Sequence, residues 1–289
     1  MRWCRQQRVI VVALVVQSNI GLVFEATGCM GVTRSRQLLS RGEGEQVDWR
    51  DAGALHEAFS TCSDKHLGDL VNRSLTILAN AIRVFGSDAV YASFNGGKDA
   101  VVILHLLRAA RHAQNRAAKL HLVYFDTTDD FDEVRDFVHD TCAALDTEFY
   151  VESVERDVGF VAGLTNIVDR TAPRALAFVL GTRQGDPNCG EQQQFEPSSP
   201  WMPAFMRVNP ILHWTYGDVW TFLRYFDLPY CSLYDQGYTS LGSKSTTLRN
   251  PALCVEAGVY RPAYELEDWA LERAGRAESP KRKKPQHST

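Results

Sequence analysis

The stretch from residue 90 to 113 limits the fold more than any other. It reads as a short apolar strand at 90–94, then Asn95-Gly96-Gly97-Lys98-Asp99, then an apolar helix at 100–113. Gly96 and Gly97 carry no Cβ, so the backbone can turn sharply and approach phosphate oxygens. The first turn of the following helix leaves N–H donors unpaired, and its dipole adds partial positive charge. Lys98 adds a full charge, Ser93 and Asn95 add polar contacts, and Asp99 can orient the lysine or hold a metal ion. A plain strand-to-helix turn also uses glycine. Two glycines between Asn and Lys-Asp, on a strand–loop–helix frame, favour the phosphate reading. The loop matches neither G-x-x-x-x-G-K-[ST] nor G-x-G-x-x-G. That argues against a P-loop kinase or ATPase and against a dinucleotide-binding Rossmann unit.

The same alternation continues on both sides of the loop. Leu67, Leu70, Val71, Leu75, Leu78, Ile82 and Phe85 recur every three or four residues, which predicts an amphipathic helix from about Lys65 to Gly86. Residues 120–125 predict a second strand ending at Asp126, and 131–145 a helix capped by Asp129 or Asp130. Residues 148–151 and 175–180 predict two more strands, the last running into Gly181-Thr182-Arg183. Strands alternating with helices imply an α/β fold: an open, mostly parallel sheet with helices on both faces. Ligands in such folds sit at the carboxyl ends of the strands, where Asn95, Asp126 and Arg183 fall. Residues 187–203 read as a long loop. Thr215 should cap a helix at 216–226, with Trp214, Tyr216 and Trp220 in the core, and 228–242 is aromatic and turn-rich.

Composition sets the remaining bounds. The 289 residues carry 31 basic and 35 acidic side chains, so no global positive field points to nucleic acid. The seven cysteines form no C-x-x-C pair, which fits a reducing compartment better than a disulfide framework or zinc site. The eight histidines show no metal spacing. Arg2, Arg5 and Arg8 precede an apolar run from Val9 to Val16 that is too short for a stable membrane span. A targeting segment and a poorly ordered extension are equally compatible with it. The expected organisation is an extension at 1–53, a catalytic domain at 54–277 whose first helix starts near Lys65, and a basic tail at 278–289. The expected location is the cytoplasm, with a mitochondrion or other organelle as the alternative.

The Asn95–Asp99 loop resembles the PP-loop of ATP pyrophosphatases, which cleave ATP between the α and β phosphates and transfer AMP. Further motifs resemble the FAD synthase (FMN adenylyltransferase) branch, of PAPS-reductase-like fold. They are Gly181-Thr182-Arg183-Gln184-Gly185-Asp186-Pro187, then Trp201-Met202-Pro203-Ala204-Phe205-Met206-Arg207-Val208-Asn209-Pro210, then Pro229 through Gly242 with Asn250-Pro251, then Tyr260 through Tyr264 and Glu272-Arg273-Ala274-Gly275-Arg276. They cover residues 65 to 277 in family order. The resemblance implies that FMN and ATP give FAD and pyrophosphate, with flavoprotein clients as possible partners and a C-terminal flavin-binding extension to the sheet. ATP would meet Ser93, Phe94, Asn95, Gly96, Gly97, Lys98, Asp99, Asp126, Gly181 and Arg183. Asn95, Lys98, Asp99, Asp186, Arg273 and Arg276 would act on the phosphates, and Asp99 and Asp186 would organise Mg²⁺.

A flavin needs a flat, mostly apolar slot, for which Trp201, Pro203, Phe205 and Arg207 are the candidates. The family pattern has a basic residue where this chain has Gln184, Thr where it has Gly185, and Asp where it has Ser198. These departures touch flavin contacts more than ATP contacts. The alternatives are a PAPS or adenylylsulfate reductase, which needs a reactive thiol in a C-terminal segment where this sequence has no cysteine after Cys254, and a non-catalytic nucleotide or flavin sensor.

Overall fold

The computed structural model describes residues 47–114, 119–145, 147–153, 159–187 and 189–277. Most of the expected N-terminal extension and all of the basic tail lie outside the described residues. The ordered elements begin earlier than the expected start near Lys65. Asp51 caps α1 (Ala52–Ser60), its carboxylate accepting from the N–H of Gly53 and Ala54. Leu55, Ala58 and Phe59 of α1 are spaced i, i+3, i+4 and enter the core. Arg108 fixes the approach to α1 from below, donating to the carbonyls of Trp49 and Arg50 at 2.5 Å each. Helix α2 (Lys65–Phe85) then follows the bounds its periodicity predicts.

The sheet is built from β1 (Val90–Ser93), β2 (Leu120–Asp126), β3 (Thr147–Ser153), β4 (Ala177–Val179), β5 (Phe195–Pro197) and β6 (Met206–Val208). Its order is β3-β2-β1-β4-β6-β5, and every pair is parallel except β5 with β6. A period of two sorts the inner strands between two cores. Val90 and Ala92 of β1, Leu122 and Tyr124 of β2, and Ala177 and Val179 of β4 join the larger core. Tyr91, Val123 and Phe178 point the other way, into a smaller core with Leu164 and Ile167. The larger core also holds α3 (Lys98–Ala113), part of α4 (Asp132–Ala144), and α6 (Tyr216–Tyr225). The smaller one belongs to α5 (Gly159–Thr171). The sheet is therefore covered on both faces, as the alternation requires.

Three local expectations are corrected. Phe131, not Asp129 or Asp130, occupies the N-cap of α4, without a side-chain cap. Asp130 is drawn back onto the preceding turn, accepting from Tyr124 Oη at 2.7 Å and Thr127 Oγ1 at 3.1 Å. Asp129 instead accepts from the backbone N–H and hydroxyl of Ser245. Helix α5 was not expected, because Phe160 and Val161 face out and blur its apolar stripe. Strand β5 lies inside the expected long loop, since three residues are too few to show a period. The cap of α6 does match: Thr215 and Asp218 form a reciprocal capping box. Beyond α6 the chain runs through 3₁₀ turns and a small antiparallel pair, β7 (Cys254–Glu256) with β8 (Val259–Tyr260). No helix among the described residues is long and apolar enough to cross a membrane.

Candidate active site

The loop after β1 is held from three sides. Phe94 donates its N–H to Val123 of β2 at 2.9 Å, and its ring is fully buried near Phe137. The Phe94 side chain therefore belongs to the core, contrary to its place among the ATP contacts. Asn95 Oδ1 accepts the Gly97 N–H at 3.1 Å, closing a turn that leaves the amide nitrogen of Asn95 for other partners. Gly96 takes φ +71, with α4 so close that a Cβ would meet Val134 and Val138 at 3.1 Å. The N–H of Lys98, the first in α3, donates to Tyr234 Oη at 2.8 Å. Two loop amides are thus satisfied internally. Those of Asp99 and Ala100, in the first turn of α3, remain as helix-terminal donors.

Behind the loop lies a dense ion network. Lys98 is 2% exposed, and its Nζ sits 3.0 Å from Asp99 Oδ2 and 2.5 Å from Glu272 Oε1. The ammonium also lies 5.2 Å from the centre of the Tyr216 ring. Arg183, 5% exposed, donates from Nε to Asp99 Oδ1 at 2.7 Å and from Nη2 to both Glu272 oxygens at 2.6 and 2.7 Å. Its backbone N–H donates to Asp186 Oδ2 at 2.8 Å, while Asp186 Oδ1 is 3.9 Å from the guanidinium.

These contacts set the charges. Burial pushes the Asp99 carboxyl up, but Lys98 and Arg183 outweigh it and hold the group below the ordinary carboxylate range. Asp186 goes the other way. Burial raises it, and Asp99 and Glu272 add to that rise against the opposing contacts to Arg183. Burial, with Asp99 nearby, keeps the Tyr234 phenol protonated.

A cavity of about 440 Å³ opens in front of this network at the carboxyl ends of β1 and β4. Ser93, Asn95, Gly97, Lys98, Asp99, Gly181, Asp186 and Arg273 line it, so the structure brings together most of the residues expected on the phosphates. Arg183 stands behind the wall. Asp126 is set apart, paired with Arg135 of α4 at 3.1 Å. Arg273 and Arg276 do not share a helix. A 3₁₀ turn (Trp269–Leu271), further turns and a bridge from Arg276 to Thr247 bring them together instead. Both guanidinium groups donate to Ser240 Oγ, at 3.3 and 3.4 Å.

Arg276 lies against Gly242, where an added Cβ would fall 2.1 Å from its Nη2. Gly242→Ala should therefore push the Arg276 guanidinium off Ser240. The clash is with the end of a flexible side chain, so stability should change by less than about 1 kcal/mol. Turnover should fall roughly tenfold, less than the outright removal of a preorganised charge would cost, because the displaced guanidinium stays near the cluster. Thermal melts and steady-state rates on the same preparation check both halves.

The flavin candidates fall elsewhere. Strand β6 runs parallel to β4, so Trp201, Pro203 and Phe205 precede it at the end of the sheet remote from the loop. Trp201 is 59% exposed, whereas Phe205 is buried edge-on against Phe178 in the smaller core. Arg207 donates to the Pro197 carbonyl at 2.9 Å and to Ser199 Oγ at 3.0 Å. None of the four lines the cavity, and the packing of Phe205 removes its ring from any open slot. Ser198 holds this hairpin closed, donating to the Pro203 carbonyl at 2.8 Å.

The metal assignment divides. No group of three His, Cys, Asp or Glu among the described residues could hold a metal ion. Both oxygens of Asp99 already face cations, so it does not fit as a metal ligand. Asp186 Oδ1 makes only the long contact to Arg183, and it fits as a single carboxylate ligand. Glu272 and Tyr234 carried no assigned role in the sequence. Both sit inside recognisable motifs, but nothing local to them signals a partner on α3.

The geometry agrees with what the chain resembles. The phosphoadenosine phosphosulfate reductase domain model matches residues 89–166 and 161–249, which places the protein in that class of α/β proteins. The probable FAD synthase of Schizosaccharomyces pombe is 35% identical over 226 residues, covering 75% of this chain and 83% of that protein. The probable FAD synthase of Caenorhabditis elegans is 35% identical over 216 residues, 72% of this chain, which spans only 40% of the nematode protein. The chain belongs to the FAD synthase family. Candida glabrata FMN adenylyltransferase, solved with FMN and the ATP analogue AMPCPP, has the same fold. The TM-score is 0.71 at 24% identity, over 78% of this chain and 97% of that one.

Proposed function

We propose that this protein transfers AMP from ATP to FMN, giving FAD and pyrophosphate. The observation that carries this reading is the Lys98–Arg183 cation pair. It is set by Asp99 behind an Asn-Gly-Gly-Lys-Asp loop, in a chain of the FAD synthase family. In the reaction an oxygen of the FMN phosphate attacks the α phosphorus of ATP. The bond from that phosphorus to the β-bridging oxygen breaks, and pyrophosphate leaves with the electron pair. The nucleophile is already anionic at neutral pH, so no side chain has to remove a proton from it.

The chemical difficulty is repulsion between anions, together with alignment for in-line attack. Positioned charge supplies the rate in such reactions. Lys98 and Arg183 would neutralise the leaving phosphates, and Asn95 and the amides of Asp99 and Ala100 would hold their oxygens. Arg273 and Arg276, gathered at Ser240, would draw the FMN phosphate toward the same cavity. Asp99 orients the two cations rather than binding metal. Mg²⁺ would further neutralise the phosphates, and Asp186 is the carboxylate placed to hold it beside water and phosphate oxygens. FMN carries its ring on a ribityl chain, so ring recognition need not share the phosphate cavity. Trp201 on the β5–β6 hairpin is the exposed aromatic that the family motif offers for it, and Trp269 is a second exposed aromatic, next to Glu272 in the fold's C-terminal turns.

Incubation with ATP, Mg²⁺ and FMN should yield FAD and pyrophosphate in equal amounts. Failure to form FAD by a folded chain that binds ATP tightly would sink the proposal. The pH profile provides a second check. Asp186 holds metal only when ionised, and its folded pKa is raised above 3.8. Mg²⁺ binding, measured without FMN, whose own phosphate titrates, should therefore weaken with acid at a higher pH than an ordinary carboxylate would give. Asp186→Asn should lower the plateau and flatten that acid limb. An unchanged limb would remove Asp186 from the role.

A further inference from the structure

We infer that Glu272 is a built-in competitor for the phosphate-binding cations, setting how tightly the site takes nucleotides that carry a β phosphate. The inference rests on the adenylyl-transfer reading above. Glu272 grips Arg183 through both carboxylate oxygens at 2.6 and 2.7 Å, and one of them also meets Lys98 at 2.5 Å. Both bonds come from the single nitrogen Nη2, so the carboxylate occupies the donors of that nitrogen, together with the Lys98 ammonium, that a phosphate would otherwise take. The carboxylate therefore stands where phosphate oxygens must go if Lys98 and Arg183 are to neutralise them.

The local charge count points the same way. Two cations, Lys98 and Arg183, face three carboxylates, Asp99, Asp186 and Glu272, so the cluster is already oversupplied with negative charge. Arg273 and Arg276 offset that excess at the cavity's edge, but phosphate oxygens reach Lys98 and Arg183 themselves only by displacing a carboxylate from them. Asp99 is fixed in the first turn of α3, and Asp186 accepts the backbone N–H of Arg183. Glu272 is the member that can exchange its contacts for phosphate without moving α3 or the Arg183 backbone. It lies in a turn after the 3₁₀ segment, and its side chain lines the cavity. Its backbone carbonyl is anchored separately by Thr239 Oγ1 at 2.6 Å, with Asn250 behind at 2.8 Å. Rotation of the side chain alone releases both cations and leaves Arg273 in place. Glu272 thus acts through Lys98 and Arg183 as a positioning residue, and nucleotide affinity is the intrinsic affinity reduced by the fraction of sites it occupies.

The test is calorimetric titration of the full chain with ATP, pyrophosphate and AMP, without FMN, comparing wild type with Glu272→Gln. The substitution leaves two carboxylates against two cations, so no charge is stranded. ATP and pyrophosphate should bind roughly tenfold tighter to the variant, and AMP, which lacks the β phosphate, should change less than about twofold. Glu272→Asp keeps the charge on a shorter arm that cannot span both cations, and should tighten ATP by a smaller factor. Unchanged or weaker ATP binding in Glu272→Gln overturns the inference. So does equal tightening of all three ligands, which would mark a general change of shape. Should Glu272→Gln not fold, wild-type ATP affinity in Glu272→Asp overturns it equally. A wild-type chain that neither binds ATP nor makes FAD would overturn the adenylyl-transfer reading and this inference together. Normal FAD synthesis with no effect of the Glu272 variants would overturn this inference alone.

Discussion

Lys98→Met is expected to lower kcat/KM for ATP by about 10²–10³-fold, the range for removing one preorganised charge from a developing anion. Methionine keeps an unbranched apolar side chain of similar reach, so the effect isolates the ammonium, its contact with the Tyr216 ring included. A second effect follows from where that ammonium sits. With only 2% of Lys98 exposed, its removal leaves Asp99 and Glu272 sharing Arg183 in a water-poor site. Breaking a buried charge pair from one side costs about 3–5 kcal/mol. Urea unfolding should register that loss, and steady-state kinetics under conditions where the variant is fully folded should register the first. A rate within threefold of wild type would take Lys98 out of the phosphate site.

Trp220→Ala should produce the largest loss of stability of any single truncation near the site, about 3–5 kcal/mol. Trp220 is fully buried, and Tyr216, Tyr230, Tyr234 and Tyr264 surround it edge-on with ring centres 5.2–6.3 Å away. Its indole nitrogen is buried without a hydrogen-bond partner, so apolar contact is what the residue contributes. One of those rings is Tyr234, whose hydroxyl receives the N–H of Lys98. The cavity left by alanine loosens that ring and, through it, the first turn of α3. The KM for ATP should rise with the loss of stability. A variant that loses stability but keeps its ATP affinity would show that Tyr234 is held by other neighbours.

The parts of this fold that could be read from the chain are those whose signal is local. Helix α2 repeats its apolar residues over five turns. The loop after β1 concentrates two glycines, an asparagine and a lysine in one stretch, and Thr215 and Asp218 spell out a capping box. The parts that escaped reading depend on distant partners or are too short to show a period. Helix α1 is nine residues long, and its place is fixed by Arg108 on another helix. Strands β5 and β6 have three residues each. Asp130 looks like a cap, but the Tyr124 hydroxyl competes for it and wins.

The site divides in the same way. Lys98 and Asp99 announce themselves beside the glycines. Glu272 reaches Lys98 across 174 positions of chain, and an isolated glutamate carries no mark of that destination. Phe205 shows the opposite error. An aromatic residue near a proline can line a slot, but here a second hydrophobic core on the far face of the sheet claims it.

The hydrogen bond from the Lys98 amide to the Tyr234 hydroxyl ties the first turn of α3 to a residue made 136 positions later. On a ribosome the nucleotide loop emerges long before its tyrosine, and longer still before Glu272. A nascent chain therefore displays the glycine loop with its lysine unplaced and its carboxylates uncompensated. Adenylyl transfer must wait until nearly the whole domain has left the exit tunnel.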